Sequence, residues 1–276
     1  MADSGAPLAA VLMCHAPIVI PAIGGTRGAE CHASTEAMGQ AARIASDCGA
    51  ETLVVLSPHL PRHPTAFGVV TSLSLQGDFG PFGRPELGCR FPADAAAGAA
   101  VTRAAQRTGL EIAPTTVQGL DHGALVPLWF LREAGFRGRV VVLGFPWHSS
   151  AEANHAFGRA LREAMGSLER PWALVASGDM SHALKPGAPS GFHPRALAFD
   201  QAVVESVQRG DLAALNAIPA DLRQVAAEDV LDSLQCAAGV LEEEEEEEEE
   251  VTTRVLSYEG PFGVGYLIAI LKEPTP

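Results

Sequence analysis

Four histidines of this chain lie where loops leave strand-like apolar segments or enter a helix. His15 directly follows the apolar segment LAAVLMC, and His59 follows TLVVLSP, each before a turn that contains proline. His182 ends the segment SGDMSH after the apolar WALVA, and His122 opens the apolar segment HGALVPL. Imidazole nitrogens bind metals and exchange protons near neutral pH. Four such placements predict a site for a metal ion or for acid–base chemistry.

Each of these histidines also has a structural interpretation. One histidine at a strand end is often only a hydrogen-bonded structural residue, and Asp121 before His122 is a typical helix N-cap. Asp179 could orient the ring of His182 or cap the next turn. No G-x-S-x-G, P-loop or dinucleotide-binding motif occurs, which excludes those enzyme classes. The other histidines lie in polar or helical contexts that do not favour direct chemistry: His32, His63, His148, His155 and His193.

The segments around these histidines alternate between strand-like and helical patterns. Near-continuous apolar strands that alternate with Ala-rich helices predict an α/β fold, a single domain whose central, mostly parallel or mixed sheet is covered by helices on both faces. Ligands usually bind at the carboxyl ends of such strands, where the histidines are expected. The predicted strands are 8–13, 52–56, 67–75, 139–143, 172–176, 252–258 and 264–271, and the predicted helices are 29–47, 93–106, 150–165 and 195–208; residues 76–92 are rich in Gly and Pro and predict a long loop.

The charge of the chain is concentrated in one segment. The formal net charge is −14, but nine consecutive glutamates occupy residues 242–250, so the rest carries −5. This run predicts a solvated acidic loop within a domain that spans residues 1–276. No basic patch interleaved with aromatic residues suggests nucleic-acid binding. The five scattered cysteines disfavour both a disulfide framework and a zinc ribbon, and no apolar segment predicts a signal peptide or a membrane span, so a cytoplasmic location is expected.

Read in order, these motifs resemble the class III extradiol ring-cleavage dioxygenases, the superfamily of the catalytic subunit of protocatechuate 4,5-dioxygenase, which includes the Memo-like proteins. The resemblance runs over nearly the whole length. It is carried by the strand that ends in His15, and by the segments Ser57-Pro-His59, Asp121-His-Gly123, Ser177-Gly-Asp-Met-Ser-His182, Phe199-Asp200, Ala227-Glu228 and Gly260-Pro-Phe-Gly-Val-Gly-Tyr266.

The resemblance implies a site and an activity. His15 and His59 would bind the metal with Glu228 as the third ligand, His182 would be the acid/base histidine, and His122 would contact the substrate. Asp229 remains an alternative to Glu228, because Asp229-Val230 departs from the small pair expected in close relatives. In one unbroken helix over residues 222–241, Glu228 would point away from the apolar stripe of that helix. A helix that begins after Glu228, with Asp229 as its N-cap, removes this conflict.

The implied function is a non-haem Fe(II)-dependent extradiol dioxygenase of aromatic catabolism that opens a catechol-type ring. Its partners would be a small aromatic diol and O₂, with Mn, Zn or Cu as alternative metals and no nucleic acid or membrane. Assembly as a homo-oligomer is left open. One alternative is a Memo-like metal-binding or redox protein without ring cleavage. A zinc hydrolase is another, since two histidines and a carboxylate also form catalytic zinc sites. A degenerate structural relative is the third.

Overall fold

The computed structural model describes residues 5–242 and 253–274. Strands within these ranges are β1 (Ala9–Met13), β2 (Thr52–Ser57), β3 (Phe67–Val70), β4 (Ser74–Phe79), β5 (Arg84–Pro92), β6 (Ile112–Thr115), β7 (Arg139–Gly144), β8 (Trp172–Ser177), β9 (Arg254–Glu259) and β10 (Tyr266–Lys272). Helices are α1 (Pro21–Gly24), α2 (His32–Asp47), α3 (Ala95–Arg107), α4 (His122–Glu133), α5 (Ala151–Gly166), α6 (Ala196–Gln208), α7 (Ala220–Ala226) and α8 (Leu231–Leu241). The predicted acidic loop lies outside the described residues, apart from Glu242.

Eight of these strands form one mixed sheet in the order β6-β3-β7-β2-β8-β1-β10-β9. The centre is parallel, because β1 and β2 both pair in parallel with β8 and β2 pairs in parallel with β7. Antiparallel pairing of β10 with β1 and of β9 with β10 completes one side. The predicted α/β class and mixed sheet are therefore confirmed.

Alternate residues of the central strands face two separate cores. Leu12 and Val54 belong to a core that includes side chains of α3, α5, α6 and α8. Val11 and Val55 belong to the opposite core, with side chains of α2 and α4. Since both faces are covered, the strands are apolar throughout instead of alternating with polar residues. The functional residues are consequently confined to the strand ends.

The segment 67–92 differs from its prediction. The predicted single strand 67–75 is broken between β3 and β4, and the predicted loop 76–92 is largely strand, because β4 and β5 pair antiparallel as a hairpin. Glycine and proline content suggested a loop, but a two-stranded sheet tolerates these residues because each strand has only one partner strand in it. Gly88 lies so close to the β4 backbone that a Cβ atom there would be 2.3 Å from the Gly77 carbonyl oxygen. β6 was not predicted.

None of the helices in residues 5–242 and 253–274 combines the length and apolar character that crossing a bilayer requires.

Candidate metal centre and cavity

Three of the four predicted histidines meet at the carboxyl end of the sheet. His15 follows β1, His59 follows β2, and His122 is the first residue of α4. Their ring centroids lie 4.8 Å (His15–His59), 5.3 Å (His15–His122) and 4.2 Å (His59–His122) apart. Because β1 and β2 both pair in parallel with β8, the carboxyl ends of these strands lie at the same edge of the sheet, although they are distant in sequence. The fold thus brings these side chains together as the strand ends predicted.

Asp229 completes a triangle with His15 and His59. The two Nε2 atoms lie 3.1 Å apart, and Asp229 Oδ2 lies 3.4 Å from His15 Nε2 and 3.2 Å from His59 Nε2. Asp229 occupies the turn between α7 and α8, and its Oδ1 atom accepts a 2.7 Å hydrogen bond from the Asp179 amide. The carboxylate is thereby fixed from the β8 side while its other oxygen faces the imidazoles.

Glu228, the preferred carboxylate of the sequence interpretation, is not brought to the histidines. Its Oε1 atom accepts a 2.6 Å bond from Arg223 Nε, and Oε2 accepts a 2.8 Å bond from the Leu231 amide. The physical reason is the turn. Ala227 takes a left-handed conformation (φ 53°) that ends α7, and Asp229 instead of Glu228 then faces the histidines. The N-cap position of α8 is Val230 instead of Asp229. Geometry therefore favours Asp229.

A close backbone approach holds this turn against the sheet. A Cβ atom on Gly178 would lie 2.3 Å from the Val230 Cα atom, so only glycine fits after β8. The Asp229 amide donates a 3.2 Å bond to the Asp179 carbonyl oxygen. The segment after β8 and the turn between α7 and α8 consequently form one unit at the metal centre.

Ser177 determines which nitrogen of His15 is free. The Ser177 hydroxyl donates its single hydrogen to the Gly123 carbonyl oxygen (2.6 Å), so it must accept from His15 Nδ1, 3.0 Å away. Neutral His15 therefore carries its hydrogen on Nδ1 and directs the Nε2 lone pair toward His59 and Asp229. A hydrogen bond on the second ring nitrogen is the usual support for a metal-binding histidine.

Charges around His15 favour a cation in the triangle. Burial opposes protonation, but the Asp179 and Asp229 carboxylates outweigh it and raise the pKa of His15 to about 9. Burial opposes ionisation of Asp229 too, yet the charges of His15 and His59 and their hydrogen bonds hold its pKa well below the ordinary value. Two imidazole nitrogens 3.1 Å apart repel each other unless a proton or metal ion lies between them.

The donor set fits a divalent metal. Ligands of an ion with bonds of about 2.1 Å would lie about 3.0 Å apart at right angles and about 3.4 Å apart in a tetrahedron. The three donor atoms, His15 Nε2, His59 Nε2 and Asp229 Oδ2, are separated by 3.1, 3.2 and 3.4 Å. His122 offers an overlapping alternative, since ligand atoms of His15, His59 and His122 all lie within 4.8 Å of one another. Either set could hold a metal.

His122 differs from its neighbours in charge. Burial together with the nearby His59 and His15 lowers the pKa of His122 to about 4. Its position is set by Asp121, whose side chain caps α4 by accepting from the Ala124 amide at 3.1 Å, as the sequence predicted. His122 is therefore neutral near pH 7 and can donate or accept hydrogen bonds without adding charge.

His182 lies across the same cavity. Its amide donates to the Ala226 carbonyl oxygen (2.8 Å), and its Nδ1 atom is buried without a hydrogen-bond partner in the described part of the chain. His182 is one of the residues that line the cavity. The segment that carries His182 is fixed by Gly265, which bonds the backbone of Met180 and Ser181 at 2.9 and 2.8 Å.

Asp179 and Asp200 are acidic residues whose roles the sequence did not fix. Asp179 Oδ1 accepts a 2.9 Å bond from the His15 amide, so it supports His15 directly. Asp200 is buried in α6, accepts from the Ser181 amide (2.9 Å) and from the Tyr258 hydroxyl (2.7 Å), and holds the His182 segment. Burial raises the pKa of Asp200 to about 6. The Phe199-Asp200 motif was the available signal for it.

A cavity of about 490 Å³ opens above the histidines. Ile18, Ile23 and Phe82 supply apolar walls, and Phe82 lies 6.0 Å from the His122 ring in an edge-to-face arrangement. Among the described residues that line it, Arg27 is the single lysine or arginine, and its guanidinium lies 4.7 Å from the Phe262 ring centroid. The cavity therefore combines apolar walls with the imidazoles of the histidine cluster.

Comparison with known proteins identifies the family. A sequence model of the family described as the catalytic LigB subunit of aromatic ring-opening dioxygenase matches residues 9–269. The chain belongs to this family. The resemblance inferred from the motifs is thus confirmed. The description of the LigB family refers to aromatic ring-opening dioxygenases, and this chain has a histidine cluster that could hold a metal.

One curated protein and one solved structure are similar to this LigB-family chain. Protein CA_C1420 of Clostridium acetobutylicum is 25% identical over 270 residues, which cover 95% of this chain and 56% of the relative. The chain therefore spans little more than half the length of that curated relative. The crystal structure of uncharacterized protein JW3007 from Escherichia coli K12 has a TM-score of 0.61 at 15% identity, with 95% of this chain and 98% of that chain covered, which shows a shared fold.

Proposed function

We propose that this chain is a non-haem Fe(II)-dependent extradiol dioxygenase that opens a catechol-type ring with O₂. The observation that carries the proposal is the triangle of His15 Nε2, His59 Nε2 and Asp229 Oδ2, with sides of 3.1 to 3.4 Å. Two imidazoles and one carboxylate are the donor set of non-haem Fe(II) oxygenases. The proposed ligand set thus keeps His15 and His59 and replaces Glu228 by Asp229.

Fe(II) held there would supply open coordination positions for a diol and electron density for the reaction with O₂. The residues around it would handle protons and orientation. A diol loses protons when it binds, and ring opening needs a proton returned, which suits the Nε2 atom of His182. His122, neutral because of its lowered pKa, would hydrogen-bond the diol edge. Both oxygen atoms of O₂ end in the open-chain product.

The substrate would be a small aromatic diol. Ile18, Ile23 and Phe82 offer apolar contact to a ring, while His122 and His182 lie where polar substituents would be placed. Asp179 would act indirectly, because its carboxylate binds the His15 amide and stabilises the ligand geometry. Arg27 gives the cavity a cationic group that favours a ring with an acidic substituent.

Oxygen uptake tests this proposal. Protein prepared without O₂ and loaded with Fe(II) should consume O₂ when catechol, 3,4-dihydroxybenzoate or a related diol is added. Mass spectrometry should find a product that contains the diol and both oxygen atoms. Stoichiometric iron at the histidines with no uptake on any diol would refute the proposal. The His15→Ala variant serves as the inactive control.

A metal-binding or redox protein without ring cleavage is the second candidate. The cluster of His15, His59 and His122 favours it, because three imidazoles suit Cu or Zn as well as iron. Metal analysis of protein purified without added metal would separate the candidates. Full copper occupancy with no diol-dependent uptake favours the binding role, whereas full zinc occupancy with ester or amide hydrolysis would favour a zinc hydrolase.

A further inference from the structure

A buried polar network lies directly behind the metal centre, at the start of α8. Its central residue is Asp232, which is 7% exposed. We call the set the Asp232 network, and its members are Arg62, Asn154, Arg223, Glu228, Asp232 and Gln235. None of these side chains belongs to the ligand triangle, yet Arg62 and Arg223 bond to residues directly beside its corners.

One branch of the network holds the turn of Asp229. Arg223 Nη2 donates a 3.0 Å bond to Asp232 Oδ1, and Arg223 Nε donates to Glu228 at 2.6 Å. Glu228 in turn accepts from the Leu231 amide at 2.8 Å. These bonds bridge the turn on both sides of Asp229, where Ala227 has a left-handed φ of 53° that a non-glycine residue adopts only under constraint.

The other branch reaches the turn of His59. Arg62 Nη1 lies 4.0 Å from Asp232 Oδ2, while Arg62 Nε donates a 2.9 Å bond to the Pro58 carbonyl oxygen. Pro58 immediately precedes His59, so this bond fixes the backbone at the ligand. The Asp232 carboxylate therefore links two arginines. Arg62 bonds to the turn that carries His59, and Arg223 bonds to the turn that carries Asp229.

Asn154 anchors the network to the body of the fold. Its Nδ2 group, on α5, donates to Asp232 Oδ1 at 3.1 Å and to Gln235 Oε1 at 3.0 Å. Buried ionic groups lose their hydration, and well-packed apolar residues often replace them with equal or greater stability. Stability alone is thus a poor reason to keep two arginines and two carboxylates here. A geometric role accounts better for their position.

We propose that Asp232 is a positioning residue that sets the separation of His59 and Asp229 through Arg62 and Arg223. This inference rests on the proposed metal site and names the residue that positions two of its ligands. Removing the Asp232 carboxylate would loosen both turns at once, so the donor atoms would be held less firmly at the distances that one ion requires. Outer-shell partners of this kind typically change metal affinity by about 10- to 100-fold.

Titration with Co(II), a spectroscopic substitute for Fe(II), tests the inference without any turnover. The visible absorption of Co(II) reports both its affinity and its coordination. Asp232→Ala should weaken Co(II) binding about 10- to 100-fold and change the spectrum, and Asp232→Asn should recover part of the affinity. Asp94→Ala is the matched control, because Asp94 is also buried (4% exposed) and paired with Arg170 at 2.9 Å, but lies before α3 at the opposite end of the sheet.

The control variant should lose stability while its Co(II) affinity stays within about twofold of the wild type. Equal Co(II) affinities in Asp232→Ala and wild type would overturn the inference. If Asp232→Ala does not fold, Arg62→Met replaces it, since this side chain is partly exposed, and it should weaken Co(II) binding with the fold intact. Wild-type protein that binds Co(II) but consumes no O₂ with Fe(II) and diols would refute the dioxygenase proposal alone. Wild-type ring cleavage beside an unaffected Asp232→Ala would refute the positioning role alone.

Discussion

Glu228 and Asp229 are consecutive acids whose carboxylates serve different partners. Asp229 Oδ2 lies 3.2 Å from His59 Nε2, whereas Glu228 Oε1 lies 2.6 Å from Arg223 Nε. Ala227, which has a left-handed φ of 53°, directly precedes these two acids. One acid faces the histidines, and the other fixes the backbone that presents it.

This division predicts different outcomes for the two isosteric variants. Asp229→Asn should remove a ligand and abolish stoichiometric Fe(II) or Co(II) binding at micromolar concentrations. Glu228→Gln should weaken binding only by the outer-shell range of about 10- to 100-fold, while it destabilises the fold by about 3 kcal/mol because Arg223 loses its buried partner. Metal titration and urea unfolding of both variants measure this. Stronger metal loss in Glu228→Gln than in Asp229→Asn would reverse the assignment.

Replacement of His182 should separate metal binding from turnover. His182 does not lie in the ligand triangle, so His182→Ala should keep full Fe(II) content but lower kcat by about 10²- to 10⁴-fold through loss of proton transfer. Iron analysis and O₂ uptake with the best diol measure the two effects. His32→Ala, at a side chain 69% exposed on the surface, should change neither. Unchanged turnover in His182→Ala would remove the acid/base role.

His122 tests which residue is the third ligand. If Asp229 completes the set, His122→Gln should hold Co(II) within a few-fold of wild type. It should raise KM for the diol about 2- to 10-fold, the effect of one lost neutral hydrogen bond. Co(II) titration and steady-state kinetics decide between the sets. Loss of Co(II) binding would instead favour the three-histidine set of His15, His59 and His122.

Asp200 should make stability depend on pH. Its pKa is about 6 in the folded protein because of burial, above the ordinary value of 3.8, so the folded state binds more protons than the unfolded chain between these values. Its contribution to the free energy of unfolding is therefore fully present below pH 4 and is lost as the pH rises to about 6. The total loss is about 3 kcal/mol. Urea unfolding from pH 4.5 to 7.5 should show Asp200→Asn gaining on wild type as pH rises. A constant difference between the two proteins would contradict this prediction.

Arg27 should determine preference among diols. Arg27→Met should raise KM for 3,4-dihydroxybenzoate about tenfold and leave KM for catechol unchanged, because only the carboxylate would bind the guanidinium. Kinetics on the two substrates measure the ratio. The matched variant is Arg90→Met, since Arg90 lines a separate cleft beside the β4–β5 hairpin. Equal effects of Arg27→Met on both diols would exclude carboxylate recognition.

Much of this architecture followed from local sequence, and the exceptions have physical causes. Strand exits at His15 and His59 were predictable because continuous apolar runs identify β1 and β2 and parallel pairing aligns their ends. The Asp121 cap was predictable from the residue type before an apolar helix. The β4–β5 hairpin was not predictable, because its Gly and Pro residues are typical of a loop and its strands are defined by pairing with each other. The choice of Asp229 depended on one left-handed residue, Ala227, which the sequence pattern does not encode.

Gly265 bonds the segment that carries His182, and it directly precedes β10, the strand that pairs with β1. Residues 13 and 266, at the ends of these strands, lie far apart in sequence. On the ribosome, the strand of His15 is made long before its neighbour and before the clamp on His182 exist. An ion that reached the chain during synthesis would therefore find His15 without the other residues of the site. A metal ion bound as proposed would therefore enter only after β10 has docked against β1.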